Sequence, residues 1–240
     1  MKSKHLLLFG IFVMTSIMLS SCWFLWPTIR GNGHVTEEVR QVGDFDEIEV
    51  SRGMNVYINY GSPLKVEVVA DENLHHDIIT DEDGDVLKIY ATANIREAKE
   101  KKVIITVDKL TVIKATSGSN IYTQNPFTTS HTEIKANSGS NITMEFNADF
   151  LKARCSSGAN IILSGVSKES ELEASSGANL KAEALKSDKG ILRVSSGSNV
   201  FATVTNQLKA KASSGGNIIY YGNPASISIE KSSGGNINQQ

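Results

Sequence analysis

A Ser-Gly-x-Asn motif occurs seven times along the second half of this chain, at nearly constant spacing. The first copy begins at Ser117 and the last at Ser233, and successive copies start 18 to 21 residues apart. Repetition at a fixed period is typical of chains in which each unit packs against its neighbours along one axis. The repeat therefore predicts a solenoid, in which every coil has a similar shape, rather than a domain with one central core.

Apolar and polar residues alternate in the stretch that precedes each motif. Before one copy, for example, Leu151, Ala153 and Cys155 alternate with Lys152 and Arg154. A period of two residues is that of a β-strand with one buried and one exposed face. Glycine and asparagine readily adopt left-handed backbone angles, so the Gly and Asn of each motif are predicted to form a sharp corner between two strands. The predicted fold class is all-β, a parallel β-solenoid with an Asn/Gly corner repeat.

Three weaker copies extend the repeat towards the N-terminus. Residues 48–56, 66–74 and 87–95 keep the alternation and the asparagine, and the second of them has Asp71 where the motif has glycine. With these copies the solenoid has about ten coils, and the coil between the third and fourth corners is unusually long. The predicted corner asparagines are Asn55, Asn73, Asn94, Asn120, Asn141, Asn160, Asn179, Asn199, Asn217 and Asn236.

Asparagine at every corner has a structural explanation. Neighbouring strands lie about 4.8 Å apart, so identical corners stack at that spacing. An amide both donates and accepts, so each asparagine can bond to the asparagines above and below it, as in other in-register stacks. Aspartate would bring like charges together, and a calcium-binding repeat needs carboxylates that these corners lack. The column is therefore predicted to be a structural ladder rather than a ligand site.

The chain begins with the features of a bacterial secretion signal. A short polar head with Lys2 and Lys4 precedes the apolar stretch 6–19, which is too short to cross a bilayer comfortably. The stretch ends in Leu19-Ser-Ser-Cys22, which resembles the lipobox of bacterial lipoproteins, where the cysteine sulfur receives a diacylglyceryl group. Cys22 is therefore predicted to be lipidated, and two or three acyl chains give stable membrane anchoring.

These features divide the chain into three predicted segments. They are a signal peptide at 1–21, a lipid-anchor linker and N-terminal cap at 22–44, and the solenoid domain at 45–240. With Cys22 lipidated, Cys155 is the remaining cysteine of the mature chain, so no intramolecular disulfide is predicted. Cys155 falls on the apolar side of its strand and is predicted to be a small buried side chain rather than a nucleophile.

Charge is distributed unevenly along the chain. The formal net charge is −2, and residues 23–113 contain 10 basic and 17 acidic residues, against 12 basic and 9 acidic residues from 114 onward. The N-terminal half is therefore acidic and the C-terminal half mildly basic. No run rich in lysine or arginine is present, so the electrostatic pattern of a nucleic-acid-binding protein is missing.

Reactive motifs are also missing from the sequence. Sites that cleave glycosidic bonds need paired carboxylates, but few carboxylates after residue 113 recur at one phase of the repeat. The densest acidic run, residues 81–85, has its glycine misplaced for a calcium-binding EF-hand loop and is predicted to be a hairpin turn. The prediction is a protein without catalysis, metal or cofactor. A pectinase-like polysaccharide lyase or hydrolase that uses Asp83 or Asp85 is the least favoured alternative.

The opening segments and the corners together resemble a known family. Gly31-Asn-Gly-His-Val35, Phe45-Asp-Glu-Ile48-Glu-Val50 and the repeated Ser-Gly-x-Asn-Ile corners are similar to the auto-transporter adhesin head family (GIN domain), which is common in lipoproteins of Bacteroidetes-type bacteria. The resemblance covers residues 31 to 238. It implies a right-handed β-helical fold and an adhesin or surface role, and it implies no catalytic residues.

The anchor, the long repetitive body and the lack of reactive motifs predict a membrane-anchored lipoprotein of the cell envelope that acts as a non-enzymatic adhesin or binding module. The predicted partners are the membrane, through the lipid, and a glycan or an envelope protein; no nucleic acid is expected. The alternative is a structural or assembly component of the outer envelope. Residues 23–26, Trp-Phe-Leu-Trp, are not an acidic export-type run, so the periplasmic face of the outer membrane is favoured over the cell surface.

Overall fold

Eight corners of one geometry determine the path of the chain in the computed structural model, which describes residues 27–240. In a representative corner, Ser176 and Gly177 have φ angles of 52° and 70°, both left-handed. The amide N–H of Ala178 donates to the carbonyl of Ser175 at 3.2 Å and closes the turn. Left-handed angles at both central residues are those of a type I′ turn, and here the turn bends the chain sharply from one side of the solenoid to the next. In the first corner Arg52 takes the place of the serine.

The corner asparagine is not one of the left-handed residues, contrary to the prediction. Asn179 is the first residue of the strand that follows its corner, and no corner asparagine has a positive φ. The reason is that a type I′ turn needs two left-handed residues, and the serine and glycine already supply them. The asparagine is therefore recurrent because of its side chain and not because of its backbone.

Within the described residues the chain forms nineteen strands and one short 3₁₀ helix, Glu72–Leu74. The strands are β1 (Thr28–Arg30), β2 (Val35–Arg40), β3 (Glu47–Val50), β4 (Asn55–Tyr60), β5 (Lys65–Asp71), β6 (Ile78–Asp83), β7 (Val86–Ala91), β8 (Asn94–Glu97), β9 (Lys101–Val107), β10 (Val112–Ala115), β11 (Asn120–Thr123), β12 (Phe127–Ala136), β13 (Asn141–Cys155), β14 (Asn160–Ala174), β15 (Asn179–Val194), β16 (Asn199–Ala212), β17 (Asn217–Tyr221), β18 (Ser226–Lys231) and β19 (Asn236–Gln239).

The coils stack along two main sides. The first side consists of the segments that precede the corners, in the spatial order β6, β7, β3, β10, β12, β13, β14, β15, β16, β18. The second side consists of the segments that follow the corners, in the order β2, β5, β9, β4, β11, β13, β14, β15, β16, β17, β19. All these pairings are parallel except β6–β7, β2–β5 and β5–β9. A short third side, which begins at 127–129, closes the coils.

The interior is built from columns of small and aliphatic side chains that repeat once per coil. The residue after each corner asparagine is buried, as at Ile161, Leu180 and Val200. The residue at the end of the strand before the corner is also buried but often smaller, as at Ala174 and Ala212. Burial of these apolar side chains is the main favourable term in folding, and the alternation of each strand provides it on one face only.

The solenoid has about seven turns rather than the predicted ten. Asn73 lies in the 3₁₀ helix, where its Nδ2 donates to the carbonyl of Arg30 at 2.8 Å. Asn94 opens β8 and pairs with Thr28 of β1. Both predicted corners are wrong because Asp71 and Thr92 occupy the glycine position, and neither has the left-handed backbone that the turn needs.

The strands between these false corners instead build the N-terminal end of the solenoid. β7 and β9 pair in parallel with β3 and β4, on the side away from the C-terminal coils. The coil formed by β7 and β9 therefore comes later in the sequence than the coil formed by β3 and β4 but lies nearer the N-terminal end of the solenoid. β2, β5 and β6 are antiparallel strands that complete this end. Alternation of apolar and polar residues is the same in parallel and antiparallel strands, which is why the sequence pattern did not separate the two.

Asp71 fixes the loops at this end. Its buried carboxylate accepts backbone N–H groups from Gly33 at 2.8 Å, Lys99 at 3.1 Å and Glu100 at 3.1 Å. Burial by itself would raise the pKa of this carboxyl, but the hydrogen bonds from Glu100, Gly33 and Lys99 outweigh it and hold the pKa below its usual value. The ionised carboxylate therefore ties three loop segments together.

We expect Asp71→Asn to lower the free energy of unfolding by about 1–3 kcal/mol near neutral pH, because an amide N–H₂ group then faces backbone donors. The folded-state pKa of Asp71 is depressed, so its contribution is present above the unfolded pKa of about 3.9 and is lost as the pH falls through the folded value. Urea unfolding of both proteins at neutral and at strongly acidic pH measures this. An equal difference at both pH values would contradict the assigned role.

Candidate binding surfaces

The corner asparagines form a hydrogen-bonded column on the outward face of the second side. Nδ2 of each asparagine donates to Oδ1 of the asparagine in the preceding coil, at distances between 2.8 and 3.1 Å. Five such bonds join Asn55, Asn120, Asn141, Asn160, Asn179 and Asn199. Asn217 and Asn236 continue the column in backbone register, but within residues 27–240 their side-chain amides are not hydrogen-bonded to the other asparagines of the column.

This ladder leaves hydrogen-bonding capacity unused. A primary amide has two N–H donors and an oxygen with two lone pairs. Within the ladder Asn160, for example, donates once to Asn141 and accepts once from Asn179. These amides are half-buried, and from Asn120 to Asn179 each has one donor and one acceptor without a partner among residues 27–240, at a spacing of about 4.8 Å. The column is therefore both a structural ladder and a regular row of polar groups.

A second outward column lies beside the ladder, two residues further along each strand. Its members, in spatial order, are Val39, Glu67, Ile104, Tyr57, Tyr122, Thr143, Ile162, Lys181, Phe201, Ile219 and Asn238. Seven of the eleven are apolar or aromatic, and we call this column the apolar stripe. We refer to the ladder and the stripe together as the amide surface. Contiguous exposed apolar residues rimmed by polar groups typically mark interaction sites.

Two tyrosines form the most ordered part of the apolar stripe. The rings of Tyr57 and Tyr122 stack with their centroids 5.2 Å apart and their planes 25° from parallel. Next along the stripe, Thr143 is exposed, and Ile162 beyond it is 43% exposed. Offset aromatic stacking stabilises the pair and fixes both rings. The stripe thus offers fixed rings and aliphatic groups rather than mobile side chains.

The outward face of the first side is charged instead. In one register column Arg154, Glu173 and Arg193 follow one another in successive coils. Arg154 donates to Glu173 at 3.0 Å, and Arg193 donates to the same carboxylate at 2.8 Å. In the neighbouring column Lys152 donates to Glu171 at 2.9 Å. Networks of this kind stabilise more than isolated surface ion pairs do.

The network shifts the pKa values of its members in the direction expected for ion pairs. The hydrogen bond from Lys152, followed by that from Arg193, lowers the pKa of Glu171. The hydrogen bonds to Glu171 and Glu173 raise the pKa of Arg193. These groups therefore stay charged across the physiological range, which is the behaviour of structural ion pairs and not that of an acid–base pair.

Cys155 is a buried side chain, as the sequence predicted. Its residue is 3% exposed, and burial raises the pKa of the thiol to about 12. The thiolate is the reactive form of cysteine, so this thiol is inert at physiological pH.

The acidic run at residues 81–85 forms the hairpin turn between β6 and β7, which confirms the predicted turn. Gly84 has a left-handed φ of 62°, and Lys88 pairs with Asp83 across the hairpin. The hydrogen bond from Lys88 lowers the pKa of Asp83. Residues 27–240 contain no group of three or more His, Cys, Asp or Glu side chains placed to hold a metal ion.

The fold and these two surfaces define a β-solenoid whose outward faces repeat at the strand spacing. Residues 44–224 match the family described as "Putative auto-transporter adhesin, head GIN domain", and the chain belongs to that family. A search among curated proteins found no match.

Solved structures show the same fold. A structure described as a "putative adhesin" from Bacteroides fragilis is 17% identical, covers 88% of this chain and 100% of its own, and gives a TM-score of 0.80. A "putative adhesin" from Parabacteroides merdae is 19% identical, with 89% and 99% coverage and a TM-score of 0.72. A "putative lipid binding protein" from Parabacteroides distasonis is 21% identical, with 89% and 99% coverage and a TM-score of 0.71.

The predicted functional residues have different outcomes. Cys22 and the signal segment lie outside the described residues. No helix within residues 27–240 is long and apolar enough to cross a membrane. Of the ten predicted ladder residues, Asn73 and Asn94 lie outside the column, and the other eight share its register. The apolar stripe was not predicted from the sequence. From Tyr122 onward, each of its members stands two residues after a corner asparagine.

The ladder predicts a graded effect of substitutions. We expect Asn179→Ala to reduce the free energy of unfolding by about 1 kcal/mol, because it removes two amide hydrogen bonds at a half-buried site. Asn179→Asp should cost more, since a carboxylate cannot donate to Asn160 and instead places two acceptors together. Lys181→Ala, an exposed change two residues away, should cost less than about 0.5 kcal/mol. Asn236→Ala, at the end of the column, should also cost less than the central change. Denaturant unfolding of the four variants decides this, and equal losses at positions 179 and 181 would refute it.

Proposed function

We propose that this chain is a lipid-anchored adhesin-type protein of the cell envelope, which binds its ligand without catalysis through the amide surface. The observation that carries the proposal is the mainly apolar stripe beside a row of half-used amides, both repeating once per coil. Membership of the adhesin head family supports the same function.

The periodicity of the amide surface favours an extended ligand. Each coil contributes one amide and one stripe residue, and each such contact is weak by itself. Contacts that are linked along one rigid surface add up without the full entropic cost of separate binding events. A glycan chain fits this pattern, because its hydroxyl groups donate and accept as the amides do and its apolar ring faces pack on aromatic and aliphatic side chains.

The anchor supports a position in the outer membrane. In this proposal the lipid on Cys22 holds the N-terminal end of the solenoid close to the bilayer, and the coils extend away from it. The sequence after Cys22 is not acidic, which favours attachment to the periplasmic face over the cell surface. Protease treatment of intact cells distinguishes the two orientations, because only a surface-exposed body is degraded.

Binding through the stripe is tested with the full chain in nonionic detergent, on arrays of neutral glycans and matrix proteins. We expect reproducible hits, and we expect Tyr122→Ser and Ile162→Ser to weaken binding to them about tenfold. The matched control is Val166→Ser, because Val166 is 49% exposed and lies beyond the bend at Gly165 on the third side. A blank across all classes, together with co-purification in an envelope complex, would instead support a structural or assembly component.

The anchor is tested by Cys22→Ala. We expect this variant to be soluble or uncleaved and to leave the membrane fraction, because the acyl chains supply the anchorage. Fractionation of cells that express either form measures the effect. A variant that is still tightly bound to membranes would rule out the lipid anchor.

A further inference from the structure

The charge on the first side changes sign along the solenoid. The outward positions of β6, β7, β3 and β10 carry Lys88 and Lys114 against four carboxylates, which are those of Glu47, Glu49, Asp81 and Asp83. In the two outward register columns next to the corners, β12 to β16 and β18 carry four carboxylates, those of Glu133, Glu171, Glu173 and Glu230, against six cations: Lys135, Lys152, Arg154, Arg193, Lys209 and Lys211. This face is therefore acidic at the N-terminal end and basic at the C-terminal end.

The basic end is concave. Two cavities of about 430 and 330 Å³ adjoin there, and both are lined by Arg193 and Lys211. Together they form one furrow across β13 to β18, whose charged lining residues are Arg154, Glu173, Arg193, Lys209, Lys211 and Glu230. Four cations thus face two carboxylates in a recess, and concave surfaces of one sign attract ligands of the other sign.

The lysines of this furrow are weakly paired, whereas each arginine contacts two carboxylates: Arg154 those of Glu133 and Glu173, and Arg193 those of Glu171 and Glu173. Lys211 lies directly beside Arg193 in register, and like charges opposite one another on paired strands are destabilising. Lys211 has an ion pair with Glu230, but both side chains are at least 60% exposed, so solvent weakens that pair. Lys209 is exposed and has no ion-pair partner among the residues that the structure describes. An anion in the furrow would give Lys209 a partner and would add one for Lys211.

The two arginines already bind a carboxylate in this furrow. Arg154 uses Nε and Arg193 uses one Nη to hold Glu173 between adjacent coils. Nη1 of Arg154 also donates to Glu133, and Nη1 of Arg193 also donates to Glu171. A guanidinium carries five N–H donors, so the Nη2 donors of both arginines are left unused by residues 27–240. The planar guanidinium group matches the geometry of a carboxylate better than the ammonium group of a lysine does. The serine that precedes each left-handed corner serine also lines the furrow in four coils, and we call these residues the serine column. Within residues 27–240 their hydroxyl groups have no hydrogen-bond partner. They are Ser156, Ser175, Ser195 and Ser213.

We propose that this furrow is a second binding site, separate from the amide surface, that holds a carboxylate-bearing polysaccharide, with the sugar carboxylates on Arg193, Lys209 and Lys211 and the hydroxyls along the serine column. If the lipid on Cys22 anchors the chain, the furrow lies on the coils farthest from the membrane and the acidic end of the same face lies nearest to it. The basic site is then presented away from the anionic lipid surface.

The test uses the full chain in nonionic detergent and three probes: a polygalacturonate oligosaccharide, a dextran sulfate oligosaccharide that carries sulfates and no carboxylates, and neutral dextran. We expect the polygalacturonate to bind, with an affinity that falls as salt is added. Lys209→Gln combined with Lys211→Gln should weaken that binding about tenfold. The matched control combines Lys168→Gln with Lys186→Gln, which removes the same charge from exposed positions outside both the furrow and the amide surface. It should change the affinity less than about twofold.

Arg193→Lys keeps the charge and removes the fork, and it should also weaken binding of the polygalacturonate. Thermal unfolding of each variant shows that the fold is kept. Equal losses in the two double variants, no binding of polygalacturonate at low salt, or equal binding of dextran would overturn the proposal. If the sulfated probe bound more tightly than polygalacturonate and Arg193→Lys had no effect, the assignment of a carboxylate ligand would be wrong. If the protein shortened the oligosaccharide, the assignment of a non-catalytic binding site would be wrong. If Ile162→Ser lost binding on the glycan array but still bound polygalacturonate, the amide surface and the furrow would be shown to act as separate sites.

Discussion

Backbone hydrogen bonding between coils in register is the interaction on which the rest of this molecule depends. It continues through the corners as well as the strands, since the amide of Gly158 donates to the carbonyl of Ser176 in the next coil at 3.2 Å, and the other corners do likewise. Register places equivalent residues about 4.8 Å apart. Each recurrent side chain therefore meets its own copy above and below, and only side chains that tolerate this arrangement can recur.

The two sides of the solenoid meet this constraint in different ways. Asparagine is self-complementary, so the second side repeats one residue, and the bonds all run in the same direction from Asn199 to Asn55. Charged residues are not self-complementary, so the first side places Arg154, Glu173 and Arg193 in sequence along one column. Like charges still adjoin in this column, at Lys114, Lys135 and Arg154 and again at Arg193 and Lys211. Arg193 and Lys211 line both cavities of the furrow, beside Lys209, which has no ion-pair partner among residues 27–240. That combination is the physical basis for assigning a ligand to the furrow.

The sequence was sufficient to predict the repetitive coils of the solenoid but not the N-terminal end, where the repeat is lost. Period and alternation identified the strands, the buried column and the register of the asparagines from Asn120 onward. They misassigned Asn73, because antiparallel β5 has the same alternation as a coil strand, and Asn94, because β7 is itself a coil strand although no corner turn follows it. The one local difference was glycine: all eight true corners have it, and Asp71 and Thr92 replace it in the false ones. The apolar stripe was missed because outward positions were read as solvated, without superimposing successive coils.

The non-repetitive end of the chain has its own physical reason. A stack of parallel coils leaves an unpaired strand edge at each end, and such edges invite association with other chains unless they are covered or charged. At the N-terminal end, β2, β5 and β6 reverse direction and cover the coil formed by β7 and β9. The edge strand β2 carries Glu37, Glu38 and Arg40, and Arg40 is fixed by a hydrogen bond to the carbonyl of His75. The loss of the repeat in this region is therefore a requirement of the cap, because a further copy of the coil would only move the open edge by one strand.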